Sequence, residues 1–215
     1  MENDNKYIAV EGYPFIGIAL VLTLLMVFLQ WWIPFVIFLI LTGFVVFFFR
    51  NPRRQGPADP NILVSPADGK VIAIEDIGDS HFLQGPTRRI SIFLSIFNVH
   101  MNWIPFSGTI LNIIYSPGKY FMAYHPKAST ENEQNAVILE MEGGGQMAFV
   151  QIAGWVARRI VCYLKEGQGV LRGQLMGLIR FGSRVDIYLP PFADILVQPG
   201  MRVTGGETPL ARLKK

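Results

Sequence analysis

The chain has 215 residues, of which 51% are hydrophobic and 16% charged, with a formal net charge of +3. So mild a charge, with no Lys/Arg-rich run interleaved with aromatics, excludes nucleic acid as a partner. A single cysteine, Cys162, excludes an internal disulfide framework and a cysteine metal cluster.

In chain order, the first element is the uncharged stretch from Pro14 to Phe49. It is too long for a cleavable signal peptide, its leading flank is acidic (Glu2, Asp4, Glu11), and no small-residue cleavage site follows. As one helix it would run about 54 Å, far beyond a ~30 Å hydrocarbon core. Gln30-Trp31-Trp32-Ile33-Pro34 supplies a break, because Trp suits a membrane interface and Pro suits a turn or helix start. The expectation is a helical hairpin, Pro14–Gln30 and Ile33–Phe49, either transmembrane or re-entrant. "RNPRR" at Arg50–Arg54 then marks the cytoplasmic side. Domains of 1–50, the membrane anchor, and 51–215, a globular unit, follow.

After the Pro/Gly linker "NPRRQGPADPN", apolar runs are short and turn signals dense. "GKVIAIEDI" reads as a strand, and in "RRISIFLSIFNVHMNW" Ile90, Ile92, Leu94 and Ile96 share one face. "GTILNIIYSPG", "AVILEME", "GQMAFVQIAG", "ARRIVCYLKEG" and "ADILVQPGMRVTGGE" have the same character. Many short strands and no convincing helix beyond residue 50 predict a mainly β domain, a sandwich or barrel. The turns "SPADGKV" and "VQPGMRVTGGETPL" resemble those of lipoyl- and biotin-carrier folds. In "LIRFGSRVDIYLP" the strand after Gly182 alternates, with Ser183, Val185, Ile187 and Leu189 on one face and Arg184, Asp186 and Tyr188 on the other.

Few residues in the β domain are suited to chemistry. Asp68 lies in a Pro/Gly turn, His100 ends an apolar run on the face of Asn98 and Asn102, His125 precedes a proline, and His81 falls in the most hydrophilic loop. Three histidines without H-x-H or H-x-x-x-H spacing do not support a metal site. There is no P-loop, dinucleotide fingerprint or G-x-S-x-G elbow. What remains is an acid, one or two imidazoles and a Ser preceded by Gly. These are the types required for an orienting group, a general base and a nucleophile.

Taken together, "SPADGKV", "FLSIFNVHMNWIPFSG", "YSPGKYFMAYH", "QIAGWVARRIVCY" and "GQLMGLIRFGSRVDIYLP" resemble the phosphatidylserine decarboxylases in their short, Gly-Ser-Arg form. The resemblance spans about Ser65 to Leu189, in order. It implies a proenzyme that cuts itself between Gly182 and Ser183 into 1–182 and 183–215, which stay together as a heterodimer. Ser183 becomes a covalent pyruvoyl cofactor, which decarboxylates phosphatidylserine to phosphatidylethanolamine through a Schiff base. His100 would be the base for the cut, oriented by Asp68.

Longer members of the family carry Thr where this chain has Arg184, and a second His where it has Phe97. His125, which matches a family His, and His100 are therefore the candidates for reprotonating the substrate carbon. Arg158, Arg159, Lys127 and Arg184 are candidates for the head-group phosphate. Membrane lipids are the other expected partner, at an inner membrane with the catalytic domain on the cytoplasmic side. A carrier-like binding module and a membrane-bound serine hydrolase are the alternatives. Neither would be expected to lose its Ser on maturation.

Overall fold

The computed structural model describes residues 6–78, 80–118, 132–154, 159–180 and 183–213. The chain divides into two compact units, Met1–Arg53 and Arg54–Lys215.

In the first unit, α1 (Tyr13–Phe28) and α2 (Trp32–Phe48) form the hairpin. α1 ends where Gln30 adopts a left-handed φ of 57°, with Trp31 N–H bonded to the Met26 carbonyl and Gln30 N–H to that of Val27. This is the 6→1 closure normally made around glycine, and it reverses the chain within three residues. The Thr23 and Thr42 hydroxyls lie 3.0 Å apart between the arms, and each is 2.8 Å from a carbonyl one turn back in its own helix; with one proton apiece, one hydroxyl donates across to the other while the other donates to its own carbonyl. No polar hydrogen on either hydroxyl is therefore left in apolar surroundings. The continuous helical stretch Val10–Phe28 is long and apolar enough to cross a membrane, with a mean hydropathy of 2.0. α2 is a shorter apolar helix. Large side chains along both are exposed, among them Phe28 at 82% and Ile33 at 78%. Such surfaces suit association with a membrane.

The second unit is mainly β, and no helix occurs among its described residues. Its strands are β1 (Ile62–Val64), β2 (Gly69–Ile77), β3 (Thr87–Leu94), β4 (Met101–Trp103), β5 (Gly108–Ser116), β6 (Gln134–Met141), β7 (Gln146–Ala153), β8 (Ile160–Cys162), β9 (Gly169–Val170), β10 (Leu175–Ile179), β11 (Ser183–Leu189), β12 (Asp194–Ile195), β13 (Arg202–Val203) and β14 (Pro209–Arg212). Eight of them form one antiparallel sheet in the order β13-β2-β3-β11-β7-β6-β5-β9. Two three-stranded sheets, β1-β14-β12 and β4-β10-β8, contribute Leu63, Leu210, Met176 and Ile179 to the core on one face of the large sheet. Ile90, Ile92, Leu94, Val185, Ile187 and Leu189 supply that face, as their alternation predicts.

β3 stops at Leu94, two residues before the alternating pattern does. Asn98 Oδ1 captures the Ser95 N–H at 2.9 Å and the Ser95 hydroxyl at 2.8 Å. The chain therefore turns, and Ile96, expected on the core face, is 40% exposed. β11 also differs from expectation, because its Arg184, Asp186 and Tyr188 face is buried as well. A second cluster of Leu83, Ala136, Val150, Ile152 and Tyr188, with Phe82 packed against it, covers that side.

Candidate active site

β11 lies inside the large sheet and pairs with β3 on one side and β7 on the other. Its first residue, Ser183, sits opposite Leu94 and Ala153. Being in phase with Val185 and Ile187, Ser183 turns its side chain toward the core and is 0% exposed. Its hydroxyl has no hydrogen-bond partner. A buried polar group without a partner costs about 1–3 kcal/mol, so packing alone does not account for a serine here.

His100 reaches the same end of the sheet from the β3–β4 connection. Ile179, on the strand that leads into β11, donates its N–H to the His100 carbonyl at 3.2 Å. The His100 ring is 2% exposed, and its Nδ1 lies 3.0 Å from the Asn98 carbonyl. A carbonyl only accepts, so Nδ1 carries the proton and the lone pair of the neutral ring is on Nε2. The group that sets the tautomer is thus a backbone oxygen of the turn that ends β3.

Asp68 is placed by a turn whose Pro66 carbonyl accepts from Trp103 N–H at 2.9 Å, three residues beyond His100. Both carboxylate oxygens take Arg54 Nη2 at 2.9 Å, and Oδ1 also takes Gly205 N–H at 2.8 Å. Asp68 is therefore bonded to Arg54 and Gly205 and not to His100. Two glycines permit the close approach. A Cβ on Gly69 would stand 2.3 Å from the Phe93 carbonyl, and one on Gly205 would stand 2.4 Å from the Trp103 ring. The Arg54 guanidinium lies 5.1 Å from the Trp103 ring centre, which closes the same cluster.

A buried amide chain runs beneath the site. Asn135 on β6 donates to Gln151 on β7 at 3.2 Å, and Gln151 donates to Asn102 on β4 at 2.9 Å. Because β4 belongs to a small sheet and β7 to the large one, this bond ties the strand after His100 to the strand beside Ser183. Burial raises the Cys162 thiol pKa, against lowering by the Leu164 backbone and the Asn135 side chain. A thiol so shifted is a poor nucleophile.

Arg184 and Asp186 are 3% and 0% exposed, and Arg184 donates to Asp186 at 2.6 Å and to the Ser91 hydroxyl at 2.7 Å. Arg184 is thus committed to Asp186 and Ser91, which removes it from the candidates for the head-group phosphate. Arg159 is exposed, as is His81. Gly182, His125, Lys127 and Arg158 lie outside the described residues. A cleft between the His81–Thr87 segment and Pro190–Phe192 is at the opposite end of β11 from Ser183 and is not part of this site. Among the described residues no group of three His, Cys, Asp or Glu could hold a metal.

Arg54, Gln151 and Asn135 were not anticipated. Gln151 had a usable signal, a lone amide in the otherwise apolar "MAFVQIA". Arg54 had none, since it sits in a basic run that reads equally well as a membrane flank.

The sequence model of the family described as phosphatidylserine decarboxylase matches residues 41–211. The phosphatidylserine decarboxylase proenzyme of Geotalea uraniireducens (strain Rf4) is 49% identical over 213 residues, covering 99% of this chain and 100% of that protein. Proteins of the same name from Geobacter sulfurreducens (48% identical over 218 residues, covering 99% and 100%) and Syntrophotalea carbinolica (45% over 214 residues, covering 100% of both) are similar throughout.

Proposed function

The chain belongs to the phosphatidylserine decarboxylase family, and from that premise we propose that it generates its own catalytic group by cutting the bond between Gly182 and Ser183. Its activity is the decarboxylation of phosphatidylserine. The observation that carries the assignment of the group is the buried, unpartnered Ser183 hydroxyl at the head of an interior strand.

His100, with its lone pair on Nε2, takes the Ser183 hydroxyl proton. The oxygen attacks the Gly182 carbonyl, and the peptide bond gives way to an ester with a free amine on residue 183. Loss of the Ser183 α-proton expels the Gly182 carboxylate and leaves dehydroalanine. Its imine tautomer takes up one water and releases ammonia, leaving a pyruvoyl group at position 183. That group fits the site, because its methyl and ketone oxygen need no more room than the Ser183 methylene and hydroxyl beside Leu94 and Ala153. A pyruvoyl group supplies a carbonyl that can condense with the substrate amine and accept the electron pair released with CO2.

The chain's own residues supply the rest. Asp68 acts as a positioning residue, through the Pro66–Trp103 bond that holds the strand after His100. The Asn102–Gln151 bond keeps that strand registered against β7. Complete burial of residue 183 in the uncut chain keeps substrate out until the Gly182 end is released. His125 or His100 returns a proton to the substrate carbon. Arg50 and Arg53 support a cytoplasmic location for the catalytic unit at an inner membrane.

The test is an intact-mass spectrum and Edman degradation of the purified protein. Two pieces, 1–182 and 183–215, are expected, with the smaller blocked to Edman chemistry because it has no α-amino group. A readable N-terminal Ser would mean ordinary proteolysis and defeat the proposal. His125→Ala should cut normally and release CO2 slowly, and normal turnover would return the protonating role to His100.

A further inference from the structure

The turn that ends β3 presents Ile96 at 40% and Phe97 at 64% exposure, adjacent in sequence and four and three residues before the buried His100. The turn is not loose. Ser95 N–H and hydroxyl both bond Asn98 Oδ1, and Asn98 N–H bonds the Ser95 carbonyl at 2.9 Å. The same Asn98 carbonyl holds His100 Nδ1. Two large apolar side chains are thus held at the tip of a rigid turn whose last residue orients the base. Exposing them to water is unfavourable, and continuing β3 for two more residues would have placed Ile96 on the core face. A cation stands on a strand end joined to the same connection. Arg180 N–H bonds the Arg159 carbonyl at 3.1 Å, at the ends of β10 and β8, and Ile179 N–H bonds the His100 carbonyl. Arg159 is exposed.

We infer that the Ile96–Phe97 tip is a bilayer-contact element of the catalytic unit, inserting between the lipids of an anionic membrane while the exposed Arg159 meets head-group phosphates. An apolar tip accompanied by an exposed cation matches a surface that is apolar within and anionic at its rim. The inference rests on phosphatidylserine being the substrate. Such a substrate carries two acyl chains, so a site that drew it wholly into water would have to expose them. A tip seated in the bilayer next to His100 allows the head group to reach residue 183 while the chains remain in lipid.

The experiment uses the full, self-cut chain in vesicles of phosphatidylserine and phosphatidylcholine. A spin label is placed by Phe97→Cys in a Cys162→Ser background, with Leu171→Cys, another exposed apolar position, as the reference. The label at 97 should collide more with dissolved oxygen than with a water-soluble nickel chelate, and the label at 171 should show the reverse. In parallel, Ile96→Ser/Phe97→Ser should self-cut, which reports correct folding. It should lose about tenfold or more in CO2 release from vesicle phosphatidylserine, with less than about a twofold change on a short-chain phosphatidylserine dispersed as monomers. A label at 97 as open to the chelate as that at 171, or equal losses on both substrates, overturns the inference. A parent enzyme that released CO2 from neither substrate would instead refute the functional reading, and the label depth would still decide the tip.

Discussion

Ser183 is an unusual choice for its position. Its buried hydroxyl makes no hydrogen bond in the uncut chain, so Ser183→Ala should raise stability by about 1 kcal/mol while abolishing both cutting and turnover. Thermal melts and a denaturing gel on the same sample check both parts, and a destabilised Ala variant would show that the hydroxyl is bonded after all. Arg184 should behave in the opposite way. Arg184→Ala breaks the buried ion pair with Asp186, which is 0% exposed, and should cost about 3–5 kcal/mol, measured by denaturant unfolding. The sequence made Ser183, His100 and Asp68 legible only as residue types in suggestive places. It could not show that Asp68 turns to Arg54, because that pairing depends on where a residue 14 positions away in the chain comes to rest. Nor could it show Arg184 buried, because alternation marks a polar face as solvent unless a covering loop is known, here one that includes Phe82 and Leu83. Cys162 adds a pH test. Its raised thiol pKa means that the unfolded thiol loses its proton more readily, so this group's contribution to stability is full below the ordinary thiol range and falls as pH rises through it. Alkylation of the folded protein at mildly alkaline pH should lag that of the unfolded chain.

At the scale of elements, the hairpin and the longer strands were readable because each carries its own period. The stretch "GKVIAIEDI" coincides with β2. Two- and three-residue strands such as β4, β9 and β13 carry no period, and they exist only because a neighbour pairs with them. The end of β3 departs from its alternating pattern for a related reason, since the side-chain bond from Asn98 competes with the sheet ladder at a point where hydrophobicity alone would extend the strand. The amide tether between sheets makes a prediction at this scale. Asn102→Leu leaves the buried Gln151 amide without its acceptor and should cost about 1–3 kcal/mol. It should also slow self-cutting by loosening β4, as followed by a gel time course. Unchanged cutting would mean that the small sheet positions His100 through its backbone bonds alone.

At the scale of the molecule, the proposed cut falls at an unusual place. The piece 183–215 carries β11, an interior strand with all seven residues buried, together with β12, β13 and β14, which pair with strands of the larger piece or with one another. The pieces should therefore co-elute under native conditions and part only in denaturant, and separation in mild buffer would contradict the topology. The consequence extends to how the protein is made and lost. Before the cut, folding is a unimolecular event in which β11 finds its place at the high effective concentration set by its own chain. After it, reassembly would be bimolecular, with a yield that falls as the sample is diluted. The uncut chain should refold from denaturant at any dilution, while the mature enzyme, once unfolded and dispersed, should not recover. Interior placement of the strand that begins at the proposed cut would thus make maturation a one-way step for the fold as well as for the serine.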